Sequence, residues 1–266
     1  MAPTRLGDGT NIGSIRQGDG TEIAEVRTGA GDVVFTSEQL PVAYSNLVAW
    51  WPFDSGTYGG SNADDVTAIF NPSQSGDSTD FDGTVNGANY QSSGGVFDIN
   101  AGANSGAFDF DGNDEITIPN VSINSSNFTV CAWVEVDNID SGDNGIMGNG
   151  SNRLQFDFND ADSLRIYSDD GNFETPTTQS EWDDGYHWAA ARQEPNGDVT
   201  IFRDDAVLGS GNVGSISGAF GRIGCIQSGG VRGFDGRIDD VRIYDTALSD
   251  IQIEAIYDNT DPNQNP

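Results

Sequence analysis

Short apolar segments separated by turn-forming residues recur along the chain from Leu47 to Tyr244. The residues between them are rich in Gly, Asp, Asn and Ser, which favour tight turns. Within the segments apolar and polar residues alternate, which is the period of a strand with one buried face. Strands at this spacing without intervening helices predict an all-β sandwich or barrel. The strongest segments are 47–54, 107–110, 115–119, 128–136, 153–158, 163–167, 186–193, 198–204, 206–210 and 236–244.

Two local pairings follow from the turn signals. Segments 107–110 and 115–119 flank the turn sequence DGND, which predicts a β-hairpin. Segments 153–158 and 163–167 form a second predicted pair. Residues 55–106 contain few apolar runs and many Gly, Ser, Asn and Asp, so we expect long ordered loops there.

One short helix is predicted near the carboxy terminus. Ser249 can cap it, and Gln252 stands three residues later as a capping-box partner. Leu248 and Ile253 occupy the positions of a hydrophobic staple. The tail, residues 259–266, is expected to be disordered.

Residues 7–35 contain an internal repeat with a period of 11. GDGTNIGSIRQ is followed by GDGTEIAEVRT and then by a degenerate GAGDVVF. Glycines at turn positions with β-branched residues between them favour β structure over helix. Because so short a segment cannot bury a core of its own, we expect residues 1–36 to form a docking arm. Residues 37–46 are predicted to be a linker.

The charge balance is extreme. The chain has 33 Asp, 9 Glu and 11 Arg but no Lys, which gives a net charge of −31. Self-repulsion of this size destabilises a compact state at ordinary ionic strength, whereas molar salt screens it. The composition therefore indicates adaptation to high salt. The alternatives are a calcium-loaded protein or a mimic of nucleic acid, and the even spread of acids along the chain disfavours both.

Two classes of partner are excluded by the sequence. Nucleic-acid binding needs a basic patch, and none is present. Insertion into a membrane as a helix needs about 18 apolar residues in a row, and no such run exists. The first residues, MAPTRLGDGT, lack a basic segment followed by an apolar one, so we expect synthesis in the cytoplasm without a secretory signal.

The order of these segments resembles a known module. LVAWWPFD, AFDFDGNDEITIP, FTVCAWVEV and FDGRIDDVRIYDTALSDIQIEAIY follow one another as in laminin-G-like, concanavalin-A-like domains. The last segment, a strand DDVRIY followed by D-x-x-L-S and a short helix, is the most specific. The resemblance implies a two-layer antiparallel β-sandwich over residues 47–258 with a short carboxy-terminal helix. It implies no single function, because this scaffold serves lectins, hydrolases and adhesion domains.

The resemblance also implies a metal site. Modules of this fold often bind one structural Ca²⁺, and the first acid of the D-x-V-R-x-Y strand, Asp239 here, resembles a ligand in related enzymes. Asp239 has the same parity as Val241 and Ile243, so we expect it to point inward and to need a partner. Arg side chains or backbone amides are the alternative partners. Asp54, at the end of the first strand, is a second candidate ligand.

Sugar-stacking aromatic residues are the second kind of candidate site. Trp133 and Trp188 lie in alternating strands and are expected in the core. Tyr186 and Phe173 lie nearer to loops and are the predicted ligand-binding residues. The segment 109–115 contains five acidic or amide side chains, but it lacks the spacing of a twelve-residue calcium loop.

No catalytic residues are predicted. Glu135, Asp137 and Asp140 imitate a Glu-x-Asp-x-x-Glu hydrolase motif, but Asp replaces the last Glu, and retaining hydrolysis requires carboxyl groups about 5–5.5 Å apart. His187, the only histidine, is expected to be structural, because its YHWAAAR strand resembles a structural strand of the family. Cys131 and Cys225 are expected to be buried, and a disulfide between them stays open.

The arm points to a specific biological setting. Its Gly-Asp-Gly repeat resembles the amino-terminal arms of virion proteins from tailed viruses of salt-loving archaea. We therefore expect a non-enzymatic virion surface protein that binds other virion proteins through residues 1–36. We also expect it to form a homo-oligomer and to bind host glycans. The alternative is an adhesion or carbohydrate-binding protein of a halophilic cell surface.

Overall fold

The computed structural model describes residues 25–27, 33–36, 46–54, 57, 61–65, 81–96, 106–123, 127–139, 142–151, 153–160 and 163–260. For residues 25–27, 33–36 and 259 it describes the backbone alone. The chain divides into two compact units. One unit is Ser45–Leu248, and the other comprises Met1–Tyr44 and Ser249–Pro266.

The larger unit is a sandwich of two antiparallel sheets. Sheet I has the order β13-β12-β11-β10-β17-β8-β5-β4. Its strands are β4 (Asn62–Ala63), β5 (Gly83–Asn86), β8 (Glu115–Ile123), β10 (Asp143–Gly148), β11 (Leu154–Asn159), β12 (Ser163–Ser168), β13 (Gly171–Pro176) and β17 (Gly218–Ile223). The predicted pairing of β11 with β12 is confirmed, with Phe156 opposite Ile166.

Sheet II has the order β16-β15-β14-β9-β20-β7-β6, and β3 pairs with β20 as well. Its strands are β3 (Leu47–Trp51), β6 (Asn89–Gln91), β7 (Ala107–Asp111), β9 (Phe128–Asn138), β14 (Tyr186–Gln193), β15 (Asp198–Arg203), β16 (Ala206–Asn212) and β20 (Asp235–Tyr244). A 3₁₀ turn, Gln179–Glu181, precedes β14. The two-layer antiparallel sandwich predicted from the sequence is confirmed.

The core lies between the two sheets, and the alternation of β9 shows how the sequence builds it. Phe128, Val130, Ala132 and Val134 are buried in the inter-sheet cluster. The residues between them face away from sheet I, because successive side chains of a strand point to opposite faces. We call this second side the outer face of sheet II.

The predicted hairpin at 107–119 is wrong. β7 pairs with β20 and β6 in sheet II, whereas β8 pairs with β17 and β5 in sheet I. The DGND turn therefore connects the two sheets at one end of the sandwich. Both strands follow the alternating pattern, but a pattern of this kind does not fix which strand is the neighbour.

A small additional hairpin lies against sheet I. It consists of β18 (Cys225–Gln227) and β19 (Val231–Gly233). A Cβ atom built on Gly145 would approach the Cys225 carbonyl carbon to 2.7 Å, and one built on Gly148 would approach Ile226 Cα to 2.6 Å. The two glycines of β10 therefore permit the hairpin to lie directly on that strand.

In the smaller unit three elements are described. β1 (Glu25–Arg27) pairs antiparallel with β2 (Val33–Thr36), which agrees with the β structure expected for this part of the repeat. The rest of residues 1–36 lies outside the described residues, as do most of the linker 37–46 and residues 261–266. Helix α1 (Asp250–Thr260) ends two residues beyond the predicted boundary at 258. Its predicted capping box is confirmed: Ser249 N–H donates to Gln252 Oε1 at 2.9 Å, and Gln252 N–H donates to Ser249 Oγ at 3.3 Å.

Candidate functional site

A polar cavity of about 480 Å³ lies at the end of the sandwich where the β7–β8 turn crosses between the sheets. We call it the end pocket. Loops at the end of a rigid sandwich are common places for binding sites. The pocket is lined by Asp111, Gly112, Asn113, Gly142, Asp143, Asn144, Asp160, Arg232, Gly233 and Asp235.

Close backbone contacts fix one wall of the end pocket. Gly112 N–H donates to the carbonyl oxygen of Phe234 at 2.9 Å, which holds the β7–β8 turn against the start of β20. A Cβ on Gly233 would lie 2.3 Å from the Gly112 carbonyl oxygen, so only glycine fits there. Asn113 N–H donates to Asp111 Oδ1 at 3.0 Å, which orders the turn itself. The wall is therefore shaped by hydrogen bonds and close backbone packing, so it is in place before any ligand arrives.

A chain of ion pairs forms the opposite wall. Asp143 lies between two arginines: its Oδ2 is 2.5 Å from Arg232 Nη1, and its Oδ1 is 2.9 Å from Arg165 Nη2. Arg165 also binds the fully buried Asp157 at 2.5 Å. Burial raises the pKa of Asp157, and hydrogen bonds from Arg165 oppose that rise. The hairpin residue Arg232 is thus fixed to sheet I through Asp143.

Two residues of the end pocket have unusual backbone conformations. Arg232 has φ +61° and Asp160 has φ +53°, both in the left-handed region that non-glycine residues seldom adopt. Such residues cluster at ligand sites, where the surrounding structure holds them in place. The conformation keeps Arg232, whose side chain is 45% exposed, directed at the pocket and at Asp143.

The end pocket offers both donors and acceptors of hydrogen bonds. Carboxylates accept, a guanidinium donates, and amide side chains do both. Asn144 is buried, whereas Asp111 and Asn113 are exposed, so polar groups stand at several depths. Such a lining suits an uncharged ligand with many hydroxyl groups. The sequence pattern marks Asp111 and Asn113 as turn residues without the spacing of a calcium loop, and it does not single out the other lining residues, because the end pocket is built from four separate segments of the chain.

The two predicted calcium ligands lie elsewhere and are held by backbone amides. Asp239 Oδ2 accepts from Val96 N–H and its Oδ1 from Asp240 N–H, both at 2.7 Å. Asp54 Oδ1 accepts from Gly106 N–H at 3.4 Å. Both side chains are fully buried. Among the described residues no three acidic, His or Cys side chains come together as a metal site. A Ca²⁺ ion bound by Asp239 and Asp54 stays a prediction.

The parity argument for Asp239 is wrong. Asp239 pairs with Trp133 and Arg242 with Cys131, so β20 has one extra residue between these pairs. Asp240, with φ +48°, takes up this β-bulge. Consequently Asp239 faces the same side as Trp133, on the outer face of sheet II, whereas Val241 lies in the inter-sheet core.

The two predicted ligand-binding aromatics lie outside the end pocket. Phe173 packs against the inter-sheet core at the edge strand β13. A Cβ on Gly211 of β16 would come within 2.7 Å of its ring. Tyr186, at the start of β14, is half-buried on the outer face of sheet II. Trp133 and Trp188 are buried as expected, but on that outer face and outside the inter-sheet cluster.

His187 is held between two carboxylates. Its Nδ1 is 2.9 Å from Asp204 Oδ2, and its Nε2 is 2.7 Å from Asp184 Oδ1. The hydrogen bond to Asp204 raises the pKa of His187, burial opposes this, and Asp184 adds to the rise. The ring also contacts Trp182 edge to face at 5.6 Å. These contacts stabilise the start of β14 as a structural histidine would.

The hydrolase-like motif and the cysteines also have defined surroundings. Glu135 forms an ion pair with Arg237 at 2.9 Å, and Asp140 lies outside the described residues. Cys131 and Cys225 are buried, as expected, and both are free thiols. Burial, followed by the nearby Glu115, raises the pKa of Cys225 to about 12, so it is protonated at neutral pH.

Comparison with known proteins identifies the family. Residues 110–254 match the laminin-G-type model of the concanavalin A-like lectin/glucanases superfamily. The match covers more than half of the chain, and the chain belongs to this superfamily. The comparison with curated protein sequences gives no match. No helix among the described residues is long and apolar enough to cross a membrane.

Solved structures show the same fold at low sequence identity. Domain 4 of AbnA, a GH43 extracellular arabinanase from Geobacillus stearothermophilus, in complex with arabinotriose, has a TM-score of 0.55 and 20% identity, with 80% of this chain and 98% of that chain covered. The binding domain of Paraclostridial Mosquitocidal Protein 1 has a TM-score of 0.52 and 14% identity, with 81% and 52% covered. Trypanosoma rangeli sialidase has a TM-score of 0.52 and 16% identity, with 88% and 36% covered. The chain thus spans about half and about a third of the latter two.

Proposed function

We propose that this protein is a non-enzymatic carbohydrate-binding protein whose end pocket binds uncharged glycans. The observation behind the proposal is the cavity itself, which polar side chains from four separate segments of the chain line. The superfamily includes lectins, and the arabinanase domain of the same fold was solved with arabinotriose. Because Asp111, Asp143, Asp160 and Asp235 line the pocket beside a single Arg232 that is already paired, acidic sugars would be repelled.

The proposal includes no hydrolysis, and two of the four candidate catalytic residues have structural partners. Glu135 is engaged by Arg237, and His187 is held between Asp184 and Asp204. A general base must instead be directed at a proton of the substrate. The sialidases and the arabinanase share the fold alone, and the scaffold serves both binding and catalysis.

The glycan proposal is tested with pocket variants on a glycan array in about 3 M KCl, a concentration at which exposed charges are strongly screened. We expect wild type to bind at least one neutral oligosaccharide and Asp235→Ala to weaken that binding about tenfold or more. The reason is that a hydrogen bond to a charged group contributes about 1.5–3 kcal/mol. Asn113→Ala is the second pocket variant.

The controls make the same side-chain changes away from the end pocket. Asp205→Ala in the β15–β16 turn and Asn172→Ala on β13 alter exposed residues and should bind as wild type does. If no neutral glycan binds, or if pocket and control variants lose affinity equally, the end pocket is not the glycan site.

We further propose that the protein works on the virion surface of a virus of salt-loving hosts, attached through residues 1–36. The Gly-Asp-Gly repeat resembles virion arms, and the lysine-free composition suits brine. A homo-oligomeric array would turn weak binding of each end pocket into firm attachment, because linked sites gain avidity without new contacts. An adhesion protein of a halophilic cell surface is the alternative.

Deletion of residues 1–36 tests the location. The shortened protein is expected to keep its sandwich, since that fold spans Ser45–Leu248, and to bind glycans as the full chain does. It should be absent from purified particles that incorporate the full-length chain, as measured by immunoblotting. Normal incorporation of the shortened chain would show that the arm is not the anchor.

A further inference from the structure

A row of polar side chains crosses the outer face of sheet II close to the end pocket. Tyr186 of β14 lies opposite Glu135 of β9, and Glu135 lies opposite Arg237 of β20. Arg237 in turn lies opposite Asp109 of β7, and Asp109 opposite Asn89 of β6. Directly opposed residues in antiparallel strands point to the same side, with Cβ atoms about 4.5–5.5 Å apart. These five side chains therefore form one line across five strands, which we call the polar row.

The polar row is accessible at its centre. The side chains of Arg237 and Glu135 are 40% and 29% exposed, and Asn89 is exposed at the edge. Asp109 is half-buried. On the neighbouring positions of β9 and β14 the outward residues Trp133 and Trp188 are buried, so the polar row is more accessible than the part of the face beside it.

The hydroxyl of Tyr186 gives an independent sign of a ligand. It is buried and has no hydrogen-bond partner among the described residues. A buried hydroxyl without a partner is uncommon in folded proteins and costs about 1–3 kcal/mol. Burial raises the pKa of Tyr186, and the charges of Asp239 and Glu135 raise it further, so the phenol stays protonated and can donate. The atom is covered by neighbouring atoms, so a sugar hydroxyl would supply the missing partner after a local shift of the groups that cover it.

The polar row is continuous with the end pocket. Asp111 lies opposite Asp235, and Asp109 lies opposite Arg237, within one unbroken register of β7 and β20. Residues two apart on a strand share a face and are about 6.6 Å apart along it. The pocket residues Asp111 and Asp235 are thus one step along the strands from the row residues Asp109 and Arg237.

We propose that the end pocket and the polar row form one groove that binds a chain of sugars, with one unit in the pocket and the next on the row. This inference rests on the proposed function and adds to it the ligand's length and direction. The row offers a guanidinium and a phenol as donors and two carboxylates as acceptors, which suits sugar hydroxyls. Arg237 is neutralised by Glu135 at 2.9 Å, so the row, like the pocket, favours an uncharged chain.

The groove is tested by calorimetry with arabinose, arabinobiose and arabinotriose in about 3 M KCl, again to screen exposed charges. For the full-length chain we expect affinity to rise with chain length. Glu135→Gln and Tyr186→Phe should each lower the affinity for arabinotriose about five- to tenfold and leave the affinity for arabinose unchanged. Tyr186→Phe should not lower the melting temperature, because its hydroxyl has no partner among the described residues. Asp235→Ala should lower the affinity for all three sugars.

Matched controls lie on sheet I. Glu174→Gln on β13 and Tyr167→Phe on β12 make the same changes on the other side of the sandwich and should leave all affinities unchanged. If Asp235→Ala loses binding while both row variants bind arabinotriose as wild type does, the polar row does not bind sugar. The proposal that the end pocket binds glycans is then retained. If wild type binds none of the three sugars, the groove proposed here for arabinosides fails, whereas the glycan array decides the proposed function separately.

Discussion

Replacing Arg242 by leucine is expected to lower the free energy of unfolding by about 3–5 kcal/mol, the loss typical of a buried ion pair that loses one partner. Arg242 Nε donates to Asp240 Oδ1 at 2.9 Å, and its Nη2 lies 2.8 Å from Oδ2. Their side chains are only 6% and 0% exposed. Without Arg242, a charged Asp240 would remain in the interior with the Trp50 Nε1–H at 2.6 Å as its remaining described partner.

The pair is also held by an aromatic ring. The Arg242 guanidinium lies 4.3 Å from the centre of the Trp50 ring, a cation–π contact. Burial lowers the pKa of Arg242, but the charge of Asp240 and the hydrogen bond to it, together with Tyr244 and Cys131, raise the pKa above its ordinary value, so the arginine stays protonated. Asp240 occupies the bulge of β20, so the pair fixes the shift in register that separates Asp239 from Val241.

Urea unfolding at constant high salt measures this loss. The matched control is Arg153→Leu, because the Arg153–Asp169 pair is 51% and 67% exposed, and exposed pairs contribute about 0–1 kcal/mol. The double variant Asp240→Asn with Arg242→Leu should recover part of the loss, since it leaves no unpaired charge. A loss for Arg242→Leu no greater than that for Arg153→Leu would contradict the assigned role.

Local sequence patterns predicted the strands and the helix cap, because those features depend on neighbours in the chain. The alternation of β9 and the capping box of Ser249 and Gln252 are of this kind. The assignment of β7 and β8 to different sheets depends on distant partners, which alternation does not specify. The face of Asp239 was predicted wrongly for a similar reason. The extra residue in the β20 bulge places residues before and after it on opposite faces from those that strict alternation predicts.

The candidate site was harder to predict than the fold. Its lining residues come from four separate segments of the chain, and only the folded sandwich brings these segments to one end. Asp111 and Asn113 have the composition of an ordinary turn, so the sequence gives no signal that separates binding from turn formation. The one predicted ligand-binding residue that lies in the proposed groove is Tyr186, and its position depends on the register of β14 with β9.

The charges of the sandwich leave little internal compensation for its acidic surface. Every arginine between Arg153 and Arg242, all of them described residues, lies in an ion pair with Asp or Glu. The chain has 42 acidic residues and 11 arginines, so its net charge is −31 even when every arginine is counted. Their mutual repulsion must be screened by ions from the solvent.

Dilution of the salt is therefore expected to unfold the protein. The Debye length grows from about 3 Å at 1 M to about 10 Å at 0.1 M salt, so carboxylates that are screened in brine repel one another at low salt. Circular dichroism should show cooperative loss of the β spectrum as KCl falls from about 3 M to about 0.1 M, and tryptophan fluorescence should report opening of the core. Millimolar Mg²⁺ or Ca²⁺ should restore structure at low KCl, because divalent cations screen carboxylates at lower concentration.

Sucrose separates screening from a general effect of solutes. It strengthens burial by exclusion from the protein surface but screens no charge, so 1 M sucrose should not replace the salt if repulsion is the cause. If sucrose restores the structure as completely as KCl does, the salt dependence of folding arises from packing and not from charge screening. If the spectra at 0.1 M KCl are unchanged, folding does not depend on salt and the prediction is wrong. We expect loss of structure at low salt because the arginines of the sandwich are already paired with carboxylates. Cations from the solvent are therefore what remains to balance the surface carboxylates.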